Sequence, residues 1–263
     1  MLFAILTIIA YSGALLWVVP TLVNLESQAN SDKKPNIKAV FSIGLLAVVL
    51  HLFSLSREFF LSEGQNFTLA NVNALMSLLL SAVATLALPK WRTLWFPLMV
   101  VYTYGICSVA VTLISTGHFT KNLSENAGLI FHLGIALFSY ALFFLALIYA
   151  FQLKWLDHKL KSKKMVFCAM LPPLMTVERH FFTLTLAAQA LLTVTLVSGM
   201  IYLHNFFAPE QVHKAMFSFA AWIVYNIQLL GQWKLRWRGN RVLVYSILGI
   251  LLLSIGYFGS HLI

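Results

Sequence analysis

The sequence has 263 residues, of which 60% are hydrophobic and 10% charged, and its mean hydropathy is +0.84. Soluble domains carry roughly 25% charged residues, so this composition excludes an ordinary soluble protein. Several apolar runs of about 20 residues could each cross a hydrocarbon core as a helix. These runs predict an all-α, polytopic membrane protein, and the lipid bilayer is its expected partner. The net charge of +10 is explained by basic cytoplasmic loops, and no nucleic-acid partner is expected.

Hydropathy predicts eight transmembrane helices in one membrane domain, four in a segment at 1–127 and four in a segment at 128–263. The first run has neither a basic n-region nor a small-residue cleavage site, so we interpret it as a span and not as a signal peptide. Pro172 and Pro173 interrupt the apolar piece MVFCAMLPPLMTV, which we interpret as an interfacial segment. The predicted spans are 2–23, 38–56, 69–88, 94–115, 128–152, 180–204, 214–233 and 242–260.

The basic residues predict the orientation of the chain. Fifteen of the eighteen Lys and Arg residues lie in the first, third, fifth and seventh connectors, whereas the other three connectors hold only Arg57, Lys121 and Lys214. Since cytoplasmic loops carry an excess of Lys and Arg, the fifteen-residue side is predicted to be cytoplasmic. Both termini are therefore predicted to lie outside, in the periplasm.

Six of the eight histidines fall on the predicted outer side, contributed by different helices and connectors. A single interfacial histidine is usually a packing residue, but neutral imidazole is also a common ligand for iron, copper and zinc and for haem. His132 is the first candidate for a ligand, followed by His261 and His51, and then by His204 and His213. The six outer histidines are His51, His118, His132, His204, His213 and His261.

The other ionisable groups narrow the possible chemistry. No acidic residue lies within a predicted span, which argues against an ion channel or pump. Arg57, Lys121 and Lys214 are the outer cations that haem propionates could meet. The two cysteines form no CxxC or CxxCH motif. Their spacing argues against a structural zinc site, thiol–disulfide chemistry and covalent haem attachment by this chain. No nucleophile–base pair or acid dyad is present, so we expect no enzymatic activity.

Two polar features remain open from the residues alone. The amides Asn71, Asn73, Gln189, Asn226 and Gln228 lie within spans, where hydrogen bonds between helices are the more common role and ligand binding the alternative. The stretch APEQVHKAMFSFAAW, at 208–222, places Glu210, His213 and Lys214 in a short outer connector. These three residues are either a ligand site or a solvated polar cap.

Three stretches of the second half resemble the cytochrome c assembly family, the haem-handling membrane proteins that include CcsA, CcmC and CcmF. The most specific pieces are LPPL followed by Arg179, and the run from Trp222 to Gly239. The resemblance covers roughly residues 128–262, while the first four spans agree only in length and hydropathy. The eight-span layout is most similar to the YpjD-like inner-membrane subgroup of that family. The stretches are FHLGIALFSYALFFLALIYAFQLKWL (131–156), LPPLMTVERHFFTLTLAAQALLTVTLVSGMIY (171–202) and AAWIVYNIQLLGQWKLRWRGNRVLVYSILGILLLSIGYFGSHLI (220–263).

The resemblance implies a bacterial inner-membrane location and non-covalent binding of haem b on the outer face, between two histidines that flank a Trp-rich segment. His132 matches the first histidine and His261 is the counterpart of the second. His51 is an alternative second ligand, and Arg57 or Lys214 would meet the propionates. The Trp-rich signature itself is replaced here by NFFAPEQVHKAMFSF, and a histidine that CcsA proteins carry in the seventh span corresponds to Leu230.

These departures shape the expected function. We expect a haem-binding accessory protein of the family, not the synthetase itself, acting with another inner-membrane protein. The alternative is a haem-free membrane accessory subunit of a transport system, with divalent metals as one candidate cargo. A solute transporter ranks last, because no pair of Gly/Pro-interrupted spans appears.

Overall fold

The computed structural model of the chain describes residues 1–26, 36–60, 65–66, 68–115, 120–121, 127–161, 173–202 and 209–258. These residues form eight long helices in two compact units, with four helices in each unit. The prediction of an all-α, polytopic membrane protein is confirmed. Seven helices are long and apolar enough to cross a membrane; the remaining helix, the seventh in the chain, has 27 residues but includes two lysines and four amides.

The first unit contains helices α1 to α4, in which α1 packs against α2 and α4, and α3 packs against α4 and α2. A short 3-10 turn at Arg92–Leu94 precedes α4. The connectors that follow α2 and α4 meet in a minimal antiparallel ladder between Gln65–Asn66 (β1) and Thr120–Lys121 (β2). The helices are α1 (Leu2–Glu26), α2 (Ile37–Phe60), α3 (Leu69–Ala87) and α4 (Trp95–Ile114).

Two buried tyrosines occupy the centre of the first unit. The rings of Tyr11 and Tyr102 lie 5.2 Å apart, centroid to centroid, and the Tyr102 hydroxyl is 2.9 Å from Oγ1 of Thr85. Tyr102 also approaches α2 at Gly44, where an added Cβ would lie 2.2 Å from the hydroxyl oxygen. Only glycine therefore lets this ring lie between α2 and α3, and the hydroxyl pair satisfies polar groups that no water would reach.

The second unit contains helices α5 to α8, in which α5 packs mainly against α6, and α7 against α8. Its centre is aromatic: the rings of Phe143 and Tyr225 are stacked with centroids 3.7 Å apart. Tyr140 also lies edge-on to Tyr257 at 5.7 Å. The helices are α5 (Ala127–Lys161), α6 (Leu174–Tyr202), α7 (Pro209–Leu235) and α8 (Asn240–Phe258).

Three helix ends differ from the predicted ones by five residues or more. Helix α5 continues nine residues beyond 152, helix α6 begins at Leu174 and not at 180, and helix α7 begins at Pro209 and not at 214. Hydropathy marks where a helix leaves hydrocarbon, whereas these helices continue into charged sequence. An i,i+4 ion pair between Asp157 and Lys161 supports the end of α5, and proline is well tolerated in the first turn of a helix, as at Pro209.

Three of the five amides within the spans hydrogen-bond to a neighbouring helix, as the more common role predicts. Gln189 donates from α6 to the Trp222 carbonyl of α7 at 3.1 Å, and Gln228 donates from α7 to Oγ of Ser246 on α8 at 3.1 Å. In the first unit, Asn73 on α3 accepts a hydrogen bond from Tyr104 on α4. The other two bond locally, Asn71 to the Asn66 carbonyl and Asn226 to the Trp222 carbonyl within α7.

Candidate functional site

His132 lies in the second turn of α5, with its ring half-buried. Its Nδ1 is 3.0 Å from Oγ of Ser198 on the neighbouring helix α6. The Ser198 hydroxyl in turn donates to the carbonyl of Thr195 at 3.0 Å. With the single hydroxyl proton of Ser198 on that carbonyl, Oγ accepts the proton of Nδ1, and this is the tautomer that the pair of contacts favours.

This hydrogen bond determines which nitrogen of His132 can bind a metal. A neutral imidazole with its proton on Nδ1 carries a lone pair on Nε2. Histidine ligands of metals typically donate their second ring N–H to a neighbouring acceptor in this way, which orients the ring and makes it a better ligand. His132 therefore has the arrangement of an oriented imidazole ligand.

At one end of the second unit, helix α8 contacts two helices that carry predicted site residues. The Tyr257 hydroxyl near the end of α8 lies 3.5 Å from the carbonyl of Ala136, one turn beyond His132. At Gly256, an added Cβ would lie 3.5 Å from the Lys214 carbonyl of α7. The end of α8 thus contacts both the α5 helix that carries His132 and the α7 helix that carries Lys214.

The sequence indicated that His213 and Lys214 lie in a connector, but the structure places both in a helix. Both lie in the second turn of α7, with exposed side chains. Pro209 and Glu210 belong to the first turn of the same helix, but the Glu210 side chain lies outside the described residues. The described part of the region that replaces the Trp-rich signature is therefore helical, and its one histidine, His213, is on the surface.

His51 lies in different surroundings, on α2 of the first unit. Its ring is only 1% exposed, and its Nδ1 is 3.2 Å from the hydroxyl of Tyr11 on α1. Its Nε2 is buried and has no hydrogen-bond partner among the described residues. The cavity that His51 lines together with Ser54 and Thr112 has a volume of about 10 Å³, which is the lower limit for one water molecule.

Arg57, in the last turn of α2, is exposed and lies over the Phe3 ring at 5.9 Å from its centroid. His261, His118 and His204 lie outside the described residues. His51 and Arg57 belong to the first unit, and His132, His213 and Lys214 to the second.

The hydrogen-bond partners of both histidines were not predicted from the sequence. Ser198 is 66 residues from His132, and Tyr11 is 40 residues from His51. Small hydroxyl residues are common on helices of membrane proteins, and neither partner lies in a recognisable motif. A contact of this kind depends on the rotation of two helices about their axes, which hydropathy does not report.

The donor set favours one class of metal ligand. In the described part of the chain, no three His, Cys, Asp or Glu side chains come together as a metal site. A structural zinc ion needs four protein ligands and a catalytic one usually three. A haem iron already has four porphyrin nitrogens, so one or two imidazoles are sufficient. A lone, oriented histidine such as His132 therefore fits haem better than a bare cation.

Comparison with known proteins extends the likeness over almost the whole chain. The family described as "Cytochrome C assembly protein" matches residues 36–263, so the match includes α2 to α4, where sequence analysis found agreement only in length and hydropathy. The inner membrane protein YpjD of Escherichia coli (strain K12) is 36% identical over 263 residues, which cover 99% of this chain and 97% of that protein. The YpjD proteins of E. coli O6:H1 and O157:H7 match equally. No solved structure matches the chain.

Proposed function

Because the chain belongs to the cytochrome c assembly protein family, and is a multi-pass protein of the inner membrane, we propose that it binds haem b non-covalently through His132. The observation that carries this proposal is the hydrogen bond from His132 Nδ1 to Ser198 Oγ at 3.0 Å. It leaves the Nε2 lone pair available on a ring that is only half-buried. The predicted orientation places that ring at the periplasmic side.

The residues of the second unit would have separate tasks. His132 would hold the haem through its imidazole, and Ser198 would keep that imidazole in the required orientation and tautomer. Lys214 stands at the same end of the unit, where the cationic side chain could meet a propionate. His261, which follows helix α8 in the sequence, would be the second haem ligand that the family resemblance implies. The bound haem would supply an iron centre that can exchange an electron or be passed to a partner.

His51 is a less suitable ligand in the described packing. Ligand pockets have volumes of roughly 300–1,000 Å³, whereas the cavity at His51 measures about 10 Å³. A porphyrin would reach this imidazole only if α1, α2 and α4 separated. We therefore propose a structural role for His51 and leave Arg57, which lies on the same helix, out of the propionate site.

The proposed role is that of an accessory haem-handling protein, not of the synthetase that attaches haem to apocytochrome c. In this chain the Trp-rich haem platform of the assembly factors is absent, and α7 begins there at Pro209 with His213 exposed. Handling of haem would then involve another inner-membrane protein as donor or acceptor.

The test of haem binding is a haemin titration of the purified full-length protein in detergent, followed by the Soret absorption band. We expect saturable binding with one haem per chain and a spectrum of imidazole-ligated iron. No Soret shift on haemin addition, together with no haem in protein purified from haem-replete cells, would contradict the proposal.

A second candidate function is a haem-free accessory subunit of a transport system, with divalent metals as one candidate cargo. The exposed side chains of His213 and Lys214 on α7, where the assembly factors carry the Trp-rich platform, favour this candidate. Since the described residues contain no three-ligand metal cluster, the partner and not this chain would carry the metal. Co-purification of one defined membrane partner from haem-deficient cells would support this function over the first.

A further inference from the structure

The second unit contains a cavity of about 330 Å³ at the end opposite to His132. This volume lies within the range of small-molecule sites, roughly 300–1,000 Å³. Its polar lining comes from all four helices and one loop. Helix α5 supplies Asp157 and Lys161, α6 supplies Glu178, α7 supplies Gln232, α8 supplies Asn240, and the loop before α8 supplies Arg238. The haem site proposed above uses none of these residues.

The polar lining carries charges of both signs, and these charged groups can form further hydrogen bonds. Lys161 Nζ lies 2.7 Å from Oδ2 of Asp157, and Arg238 Nε donates to Oε1 of Glu178 at 2.9 Å. An ionised carboxylate has about four lone-pair sites, so both acids can accept further donors. Arg238 Nη2 donates to the thioether sulfur of Met175 at 3.4 Å, a weak acceptor that a phosphate oxygen could replace.

Gln232 adds an acceptor that lacks a donor. Its Oε1 is buried and has no hydrogen-bond partner among the described residues. A buried carbonyl oxygen without a donor is unfavourable, and rotation of the Gln232 amide into the cavity would let an N–H group of a ligand satisfy it. A primary ammonium group, with three N–H donors, could bind this oxygen and a carboxylate at the same time.

One wall of the cavity is apolar and belongs to the membrane interface. Leu153 and Val242 line it together with Trp237, whose ring is covered by the Arg241 guanidinium at 5.9 Å. Trp and basic side chains gather at the boundary between hydrocarbon and headgroups. The cavity therefore lies at the depth where phospholipid headgroups are found.

The loop between α7 and α8 is shaped to hold Trp237 in this wall. Arg236 and Gly239 flank it with φ values of 51° and 65°, in the left-handed region. The backbone N–H of Trp237 donates to the Gly231 carbonyl at 3.1 Å. Its ring lies against Gly231, where an added Cβ would be 2.3 Å from Cε3. The loop conformation and the missing side chain together fix the indole as a wall of the cavity.

We propose that this cavity binds the headgroup of a phospholipid that carries a primary ammonium and a phosphate, as in phosphatidylethanolamine. The phosphate binds Lys161 and Arg238, and the ammonium binds the carboxylates of Asp157 and Glu178 and the orphaned oxygen of Gln232. The acyl chains leave along the apolar wall, which a soluble phosphoethanolamine would not use. This proposal does not depend on haem binding.

The test is native mass spectrometry of the full-length protein after equilibration with vesicles of equimolar phosphatidylethanolamine, phosphatidylcholine and phosphatidylglycerol. We expect retained phosphatidylethanolamine to exceed each of the others about tenfold, the effect of one charge-assisted hydrogen bond. A trimethylammonium has no N–H for Gln232, and a glycerol headgroup has no cation for the carboxylates. Equal retention of the three lipids would overturn the proposal.

Matched variants locate the binding. Lys161→Gln should lower the retention of all three lipids about tenfold, because each carries the phosphate that Lys161 binds. Lys159→Gln, in the same last turn of α5 but outside the cavity lining, should leave the retention unchanged. Gln232→Glu should strengthen the preference by adding a charge for the ammonium, so the proposal stays testable if Lys161→Gln fails to fold. Equal effects of the two lysine variants, or displacement of the lipid by an equal concentration of free phosphoethanolamine, would contradict a lipid site here.

Discussion

The two four-helix units each place one histidine against a hydroxyl group of the neighbouring helix, yet the two rings have different surroundings. In the first unit, His51 Nδ1 lies 3.2 Å from the Tyr11 hydroxyl and the ring is 1% exposed. In the second unit, His132 Nδ1 lies 3.0 Å from Ser198 Oγ and the ring is half-buried. The same local pair thus occurs once in a closed core and once near the end of a helix bundle.

The difference follows from the size of the hydroxyl-bearing residue and from what packs around it. Tyr11 brings a large ring that stacks near Tyr102 in the core of the first unit, and the helices close around both. Ser198 brings no bulk, so the edge of His132 remains accessible. An imidazole that is oriented but not enclosed can bind a planar cofactor, and an enclosed imidazole serves packing.

The largest effect is expected from Ser198→Ala. Without Oγ, the proton on His132 Nδ1 loses its acceptor and the ring is free to rotate. Removing an outer partner of a metal-binding histidine typically lowers affinity about 10–100-fold, and haemin titration would measure it. Ser254→Ala is the matched control, because this α8 hydroxyl bonds Tyr140 at 2.8 Å and not the histidine. Equal losses in both variants would show that Ser198 has no special role.

The second-largest effect, a loss of stability, is expected from Gly44→Ala in the closed packing of the first unit. In Gly44→Ala, the new Cβ would lie 2.2 Å from the Tyr102 hydroxyl oxygen, and such overpacking lowers the free energy of unfolding by about 1–3 kcal/mol. Thermal unfolding in detergent would measure the loss. Gly134→Ala in the second unit is the control, since no heavy atom lies within 4 Å of its added Cβ. Adding Tyr102→Phe to Gly44→Ala should recover part of the stability; a similar loss from both glycine variants would contradict this packing.

The smallest effect is expected from Tyr11→Phe, which keeps the ring and removes its hydrogen bond to His51. A hydrogen bond of this kind contributes about 0.5–1.5 kcal/mol, so the free energy of unfolding should fall by about that amount. Haem affinity should remain at the wild-type value, because the first unit holds no ligand in this account. A changed haemin titration curve would show that the two histidines act together.

The sequence predicted the helices better than their ends. Apolar runs located all eight helices, because hydrocarbon-spanning segments must satisfy their backbone internally. The ends were misplaced where helices extend into charged sequence, as at Asp157 in α5 and Glu178 in α6. The two-residue ladder between β1 and β2 was also missed, since pairs of such short segments have no periodic signal.

The candidate site was only partly predictable. His132 emerged from its position at the outer end of a span and from the family resemblance. Its partner Ser198, the enclosure of His51 and the convergence of Glu178 with Arg238 across 60 residues all depend on tertiary packing. Charged residues on separate helices near one membrane interface look alike in sequence, whether they line a cavity or face solvent.

The most direct test of the central claim compares His132→Ala with His51→Ala in the same haemin titration. We predict that His132→Ala abolishes or shifts the Soret band of the bound haem, while His51→Ala keeps the wild-type band and stoichiometry at lower thermal stability. A wild-type band in His132→Ala, or its loss only in His51→Ala, would contradict the assignment of the haem ligand to the second unit.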